Sequence, residues 1–181
     1  MGSIREEIRQ TKPFESAADE AVVTLLATAD RVRTTLSRVT EAHHITLQQY
    51  NVLRILRGAG PAGLPTLDIA ARIIEHSPGI TRLLDRLEAR SLVRRTRCAE
   101  DRRQVLCQAT EKARRRLAEL DGPVAEAGRR SLAPLDPSRT AELIHLLDAV
   151  RAATASFPNT HPNRQEEKRN HEKKDTKETG R

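Results

Sequence analysis

Aromatic residues are almost missing from this chain: it has no tryptophan, one tyrosine and two phenylalanines, 2% of the sequence. Proteins that grip single-stranded nucleic acid stack its bases on aromatic rings, so the composition argues against that class. Cysteine is as scarce. Cys98 and Cys107 are the only two and lack C-x-x-C spacing, which leaves neither a disulfide framework nor a structural zinc site and fits a reducing compartment. Long apolar runs are absent as well, none approaching the roughly 18 residues of a membrane span. Arg5, Glu6, Glu7 and Arg9 interrupt the N-terminus where a signal peptide needs an apolar segment. The expectation is a cytoplasmic protein with no membrane partner.

Enzyme signatures are also lacking. There is no G-x-S-x-G and no H-E-x-x-H, and the Gly58-Ala59-Gly60-Pro61 loop is not followed by the Lys-Ser/Thr of a phosphate-binding loop. His43 and His44 are adjacent and point in different directions on a helix, His76 stands alone, and no H-x-x-x-H pair supports a metal. Neither catalysis nor a cofactor nor a metal is expected.

Positive charge is what the chain has, and it is concentrated. The formal net charge is +7. Residues 77–116 hold 12 Lys or Arg against 5 Asp or Glu, the whole excess; the rest of the chain has 20 of each sign. A basic stretch of this kind is either a solvated face or a footprint for phosphate, and the local pattern favours the second.

That pattern is a short helix, a turn, a second helix and a basic hairpin between Thr66 and Gln108. Thr66 can cap the first helix, with Leu67, Ile69, Ala70 and Ile73 pointing inward and an end near Glu75. Ser77 can cap the second, Pro78 suits its first position, and Ile80, Leu83, Leu84 and Leu87 form its apolar stripe. An advance of about 100° per residue places Pro78, Arg82, Asp85, Arg86 and Ala89 on the opposite, outward face. Leu92–Arg97 and Gln104–Ala109 then read as two strands around a polar tip at Cys98–Arg103.

The flanks are helical. Residues 1–14 are polar and aperiodic and predict a loose arm, and Val22, Leu25, Leu26, Ala29, Val32, Leu36 and Val39 predict one long helix over about 15–42. Ile45 followed by Thr46-x-x-Gln49 is a staple and capping box opening a helix that Gly58 and Gly60 stop; a loop runs from there to Pro65. Thr110 caps a helix carrying Ala113, Leu117 and Leu120 inward, with a kink expected at Gly122-Pro123. Asp136-Pro137 starts a last helix lined by Leu143, Ile144, Leu146, Leu147 and Val150. Residues 157–181 hold four of the six lysines and few apolar side chains, a composition that predicts disorder.

This order of elements resembles the MarR family of bacterial transcription regulators, which are dimers built around a winged helix-turn-helix. The resemblance is carried by the Ser77–Glu88 run and by Glu100-Asp101-Arg102-Arg103 followed by Val105-Leu106 and Thr110-Glu111. Cys98-Ala99 stands where the family usually has Asp or Asn followed by Pro. The resemblance implies a mainly α fold with a small β-hairpin wing, a winged helix-turn-helix over about 46–110, and dimerisation helices over about 15–42 and 111–156. It implies that Ser77, Pro78, Thr81, Arg82 and Arg86 face the major groove of double-stranded DNA. Arg103 would enter the minor groove, oriented by Asp101, with Arg102 turned to phosphate or solvent. Its partners would be a second copy of the chain and an operator that is an imperfect palindrome.

Many relatives release DNA when a small phenolic or carboxylate compound enters the crevice between dimerisation helices and DNA-binding lobe, which implies a small-molecule effector and a repressor. Phe14, Tyr50 and Phe157 are the only aromatics, so an aromatic-lined pocket is not expected. Two other classes fit the residues alone: a basic protein that binds nucleic acid without sequence preference, and an interaction module whose winged motif contacts protein. Unrelated competitor DNA separates the first from an operator-specific regulator.

Overall fold

The computed structural model describes residues 2–74, 79–97 and 104–155, and divides the chain into a unit ending at Ala133 and one beginning at Pro134. The first unit opens with a single helical turn, α1 (Ile4–Glu7), where a loose arm is expected. Ser3 and Glu6 form a reciprocal capping box there, enough to close one turn. α2 (Ala17–Glu41) follows, capped by the Ser16 side chain. It ends in a Schellman turn, with Ile45 N–H donating to Thr40 O and His44 N–H to Glu41 O, and His44 in the left-handed region at φ 60°.

α3 (Leu47–Ala59) begins at the expected capping box: Thr46 Oγ1 accepts from Gln49 N–H at 3.2 Å, and Gln49 Oε1 accepts from Thr46 N–H at 3.1 Å. Gly58 lies within the helix and Gly60, at φ 68°, ends it. The expected loop to Pro65 is a 3-10 turn (Gly60–Ala62) and a two-residue strand, β1 (Leu64–Pro65). Gly63 makes that strand possible. Its φ is 72°, and a Cβ there would lie 2.6 Å from the Cys107 carbonyl oxygen.

α4 (Thr66–Arg72) has Pro65 at its cap position, so Thr66 is its first residue and does not cap it through its side chain. Ile69 and Ile73 are buried as expected, but Leu67 is 82% exposed, because in so short a helix it falls on the side away from the core. α5 (Ile80–Ala89) packs its stripe inward, with Leu84 and Leu87 inaccessible to solvent. Strands β2 (Val93–Arg97) and β3 (Val105–Ala109) form the hairpin in the register Val93 to Ala109, Arg95 to Cys107 and Arg97 to Val105. β1 pairs on the other edge of β3, giving the antiparallel order β1-β3-β2.

α6 (Glu111–Ser131) starts where Thr110 Oγ1 accepts from Ala113 N–H at 3.2 Å. It continues uninterrupted through Gly122 and Pro123. Pro123 costs one backbone bond on an exposed face, while Leu117, Leu120 and Ala127 are buried on both sides of it. The core gathers Val52, Leu53, Leu56, Ile69, Leu84, Leu87, Leu117 and Leu120 around the fully buried Cys107. One polar joint ties α3 to α6: Arg57 donates to both Asp121 oxygens, at 2.6 and 3.3 Å, and Tyr50 Oη donates to Asp121 at 3.2 Å. Arg57 holds the Asp121 carboxyl below the usual carboxylate range, and burial raises the Tyr50 phenol.

The second unit holds α7 (Pro137–Ala155), started by Asp136, whose Oδ1 accepts from Arg139 N–H at 2.8 Å. None of its residues is buried. Among the described residues no helix is long and apolar enough to cross a membrane. The expected tail at 157–181 lies outside the described residues, as do His76 and Cys98.

Candidate nucleic-acid interface

The outward face of α5 follows from its inward one. With Leu83, Leu84 and Leu87 buried, Thr81, Arg82, Asp85, Arg86 and Ala89 are exposed, as the helical period requires. Arg82 and Arg86 stand one turn apart on that face and make no ion pair among the described residues. Ser77 and Pro78, expected to cap the helix and to take its first position, lie outside the described residues; α5 begins two residues later than expected, at Ile80, with Gly79 at its cap position and no side-chain cap. Asp101, Arg102 and Arg103, the expected tip of the wing, also lie outside them.

Two closures hold α5 and the hairpin together. At its C-terminal end α5 finishes in a second Schellman turn: Leu92 N–H donates to Leu87 O at 2.9 Å and Ser91 N–H to Glu88 O at 2.8 Å, with Ser91 at φ 58°. Leu87 and Leu92, both buried, close it on the apolar side. Lys112 Nζ donates to the Arg90 carbonyl at 2.9 Å, placing a cation at the negative end of the helix.

The second closure is a residue that sequence reasoning missed. Arg95, in the middle of β2, reaches back to α5: Nη1 donates to Asp85 Oδ1 at 2.6 Å and to Glu88 Oε2 at 3.1 Å, and Nη2 to the Thr81 carbonyl at 3.4 Å. Burial opposes its charge, but the bond to Asp85 and its other partners prevail, so the guanidinium holds its proton more tightly than usual. Asp85 is therefore committed to the wing and does not set a free carboxylate beside Arg82 and Arg86. A signal for this existed. In the strand alternation Arg95 shares the phase of Val93, which is buried, and a charged residue in a buried phase needs a partner.

The face of the hairpin carrying Arg94 is organised separately. Arg94 donates to Gln108 Oε1 at 2.7 Å, and Gln108 Nε2 donates to the Pro61 carbonyl at 2.6 Å, pinning the 3-10 turn to the sheet. Arg97, at the outer end of β2, is exposed. The basic excess of the sequence is thus distributed over α5, the hairpin and the start of α6.

Beside this face lies a cavity of about 560 Å³ between α2, the start of α3 and α5. Arg33, Ser37 and Arg38 line it from α2, Gln48 from α3, and Leu83 and Arg86 from α5; no aromatic side chain lines it. Arg86 thus belongs both to the cavity and to the outward face of α5. Among the described residues no group of three His, Cys, Asp or Glu is placed to hold a metal.

Residues 45–105, which run from the start of α3 to the start of β3, match the model of the MarR family. A MarR transcription factor from Planctomyces limnophilus is 39% identical, with 76% of this chain and 99% of that chain covered and a TM-score of 0.58. The fold is shared at lower identity by MepR of S. aureus, solved as a complex with DNA (19% identity, 72% and 95% covered, TM-score 0.66). It is shared too by BpsR of Bordetella bronchiseptica, whose DNA binding is regulated by 6-hydroxynicotinic acid (22%, 77% and 98%, 0.67). With that identity to a MarR transcription factor over nearly its whole length, and the family's winged helix in place, the chain belongs to the MarR family of DNA-binding transcription regulators.

Proposed function

We propose that this regulator is a cytoplasmic homodimer that recognises an imperfectly palindromic operator in double-stranded DNA and represses transcription until a small ligand releases it. The observation that carries the reading is the pair Arg82 and Arg86, exposed on the outward face of a helix whose other face is locked into the core. Together with Ser77, Pro78 and Thr81 they would occupy the major groove, and at the hairpin tip Arg103 would enter the adjacent minor groove, oriented by Asp101, with Arg102 turned to phosphate or solvent. The domain would span residues 15–156, with α2, α6 and α7 supplying the dimer contacts and residues 157–181 a charged tail.

Dimerisation is supported by apolar residues left in water: Val22 and Leu26 on α2 are 56% and 66% exposed, and Ile144 and Leu146 on α7 are 56% and 55% exposed. A two-fold dimer would space its recognition helices for half-sites about one helical turn apart. The cavity supports ligand control. Three guanidinium groups line it, Arg33 and Arg38 from α2 and Arg86 from α5, against the one carboxylate of Glu41, a balance that favours a small anion, and Arg86 gives such an anion a direct hold on the recognition helix.

Selecting bound fragments from the source genome and measuring their affinity against unrelated competitor duplex tests the proposal. The unmodified protein should retain one class of fragment at salt and competitor levels that remove the rest. Arg82→Ala should relax preference at one base position, at roughly 1–3 kcal/mol, if it reads a base, or weaken all sequences equally if it holds phosphate. Equal affinity for every duplex would favour the non-specific alternative, and no duplex affinity the protein-interaction module.

A further inference from the structure

We infer that Arg95 is a positioning residue for DNA recognition: it sets the angle between wing and recognition helix, so that the two reach their grooves together. The inference rests on the winged-helix reading above and adds a residue that touches no DNA. Its basis is the geometry of the three acceptors. Thr81 O, Asp85 Oδ1 and Glu88 Oε2 lie on successive turns of one stripe of α5, and a single guanidinium at the centre of β2 contacts all three, at 3.4, 2.6 and 3.1 Å. Contacts spread over two helical turns resist both sliding and tilting of a strand against a helix; one contact at an end would allow pivoting.

The surroundings make Arg95 the natural place for that control. It is paired in register with Cys107, which is fully buried, so the strand cannot shift beneath it without disturbing the core. Its side chain is only 23% exposed, whereas Asp85 and Glu88 are 53% and 40% exposed. The rigid fork thus reaches outward from a fixed strand to two carboxylates on the helix. Lysine could not reproduce this, having a single point of charge where the fork presents two nitrogens to separate acceptors. Beyond Arg95 the strand has two more residues, Thr96 and Arg97, before the tip. A change of strand angle at Arg95 is therefore carried outward to whatever the tip addresses.

The test compares unmodified protein with Arg95→Met, Arg95→Lys and Asp85→Asn, using one selected operator. Dimethyl sulfate protection reads guanine N7 in the major groove, and hydroxyl-radical protection reads the sugars flanking the wing. In Arg95→Met the N7 protection should persist at saturating protein while the outer sugar protection disappears. Affinity should fall on the order of 10- to 100-fold, the span of one lost groove contact. Asp85→Asn should reproduce part of this pattern, and Arg95→Lys should recover only a small share of it. Thermal melts of the free proteins separate positioning from unfolding; if Arg95→Met melts early, Asp85→Asn, which keeps Arg95 and its bond to Glu88, carries the test. Proportional loss of both protections, or loss of neither, would overturn the assignment. Absence of outer protection in the unmodified protein would instead reject the wing reading itself, and Arg95's role with it.

Discussion

The winged-helix lobe and the terminal helices treat apolar side chains in opposite ways. In the lobe, Leu53, Leu56, Ile69, Leu84 and Leu87 are wholly removed from water, and the hairpin, the 3-10 turn and the start of α6 are stitched to them by polar closures. On α2 the only buried residue is Thr40, and α7 has none, although both helices carry apolar residues at helical spacing. Burying a Leu or Val contributes roughly 1.5–3 kcal/mol, so the lobe has collected this stabilisation within one chain and the helices have not. The difference teaches where the chain is complete. The lobe buries its apolar side chains within one chain, while α2 and α7 each leave apolar side chains that the proposed second copy would cover.

The largest expected effect comes from placing a charge on those helices. Leu147→Asp should leave the lobe folded but bury two symmetry-related carboxylates in the dimer, at a cost of several kcal/mol each after relaxation. Sedimentation should show monomers at concentrations where the unmodified protein is dimeric, and operator binding should weaken because two half-sites are no longer held together. Leu26→Asp should act in the same direction from α2. A stable monomer for the unmodified protein at micromolar concentration would break the comparison outright.

Next in size is a cavity in the lobe. Leu84 is fully buried between α5 and the rest of the core, and Leu84→Ala should cost about 2–5 kcal/mol depending on how far the site collapses. Urea titrations at several protein concentrations sharpen the contrast: the loss from Leu84→Ala should be the same at every concentration, whereas that from Leu147→Asp enters through association. A loss below about 1 kcal/mol would mean that the lobe is less tightly packed than its burial indicates.

What could be read from the sequence follows the range of each interaction. Caps are local, and Thr46 with Gln49, Thr110, and Asp136 all cap where the residue order predicts. The stripe of α5 is local too, and so is the outward placement of Arg82 and Arg86. Features made by distant partners were not legible. β1 is a strand only because Gly63 admits the β3 backbone, and two residues make no periodic pattern. Leu67 looked like a core residue by hydrophobicity, yet a seven-residue helix buries too narrow a face to include it. Gly122 and Pro123 lie inside one continuous helix, whose exposed side carries the backbone bond that proline cannot make. Arg95 was hidden among neighbouring arginines, because only the strand register and the approach of α5 distinguish it from Arg94 and Arg97.

The smallest expected effect compares the two regions at a single matched detail, the left-handed residue that ends a helix. Ser91 ends α5 within the lobe at φ 58°, and His44 ends α2 where that helix turns towards the lobe at φ 60°. Both side chains are exposed, so replacing them removes no packing. A left-handed conformation costs most L residues about 1–2 kcal/mol, and glycine escapes that cost while giving back roughly 0.5–1 kcal/mol through its freer unfolded chain. Ser91→Gly should therefore stabilise the protein by up to about 1 kcal/mol, read as a higher urea midpoint at unchanged slope. His44→Gly should gain less, because histidine enters the left-handed region more readily than most residues. The closing bonds are backbone bonds from Ser91, Leu92, His44 and Ile45, which glycine at position 91 or 44 leaves in place. Ser91→Gly should also leave operator affinity unchanged, since it relieves strain without altering the angle that Arg95 sets. A Ser91→Gly protein that is less stable than the original would show that the turn ending α5 stores no strain, and the lobe would then owe its rigidity to its core and its polar closures alone.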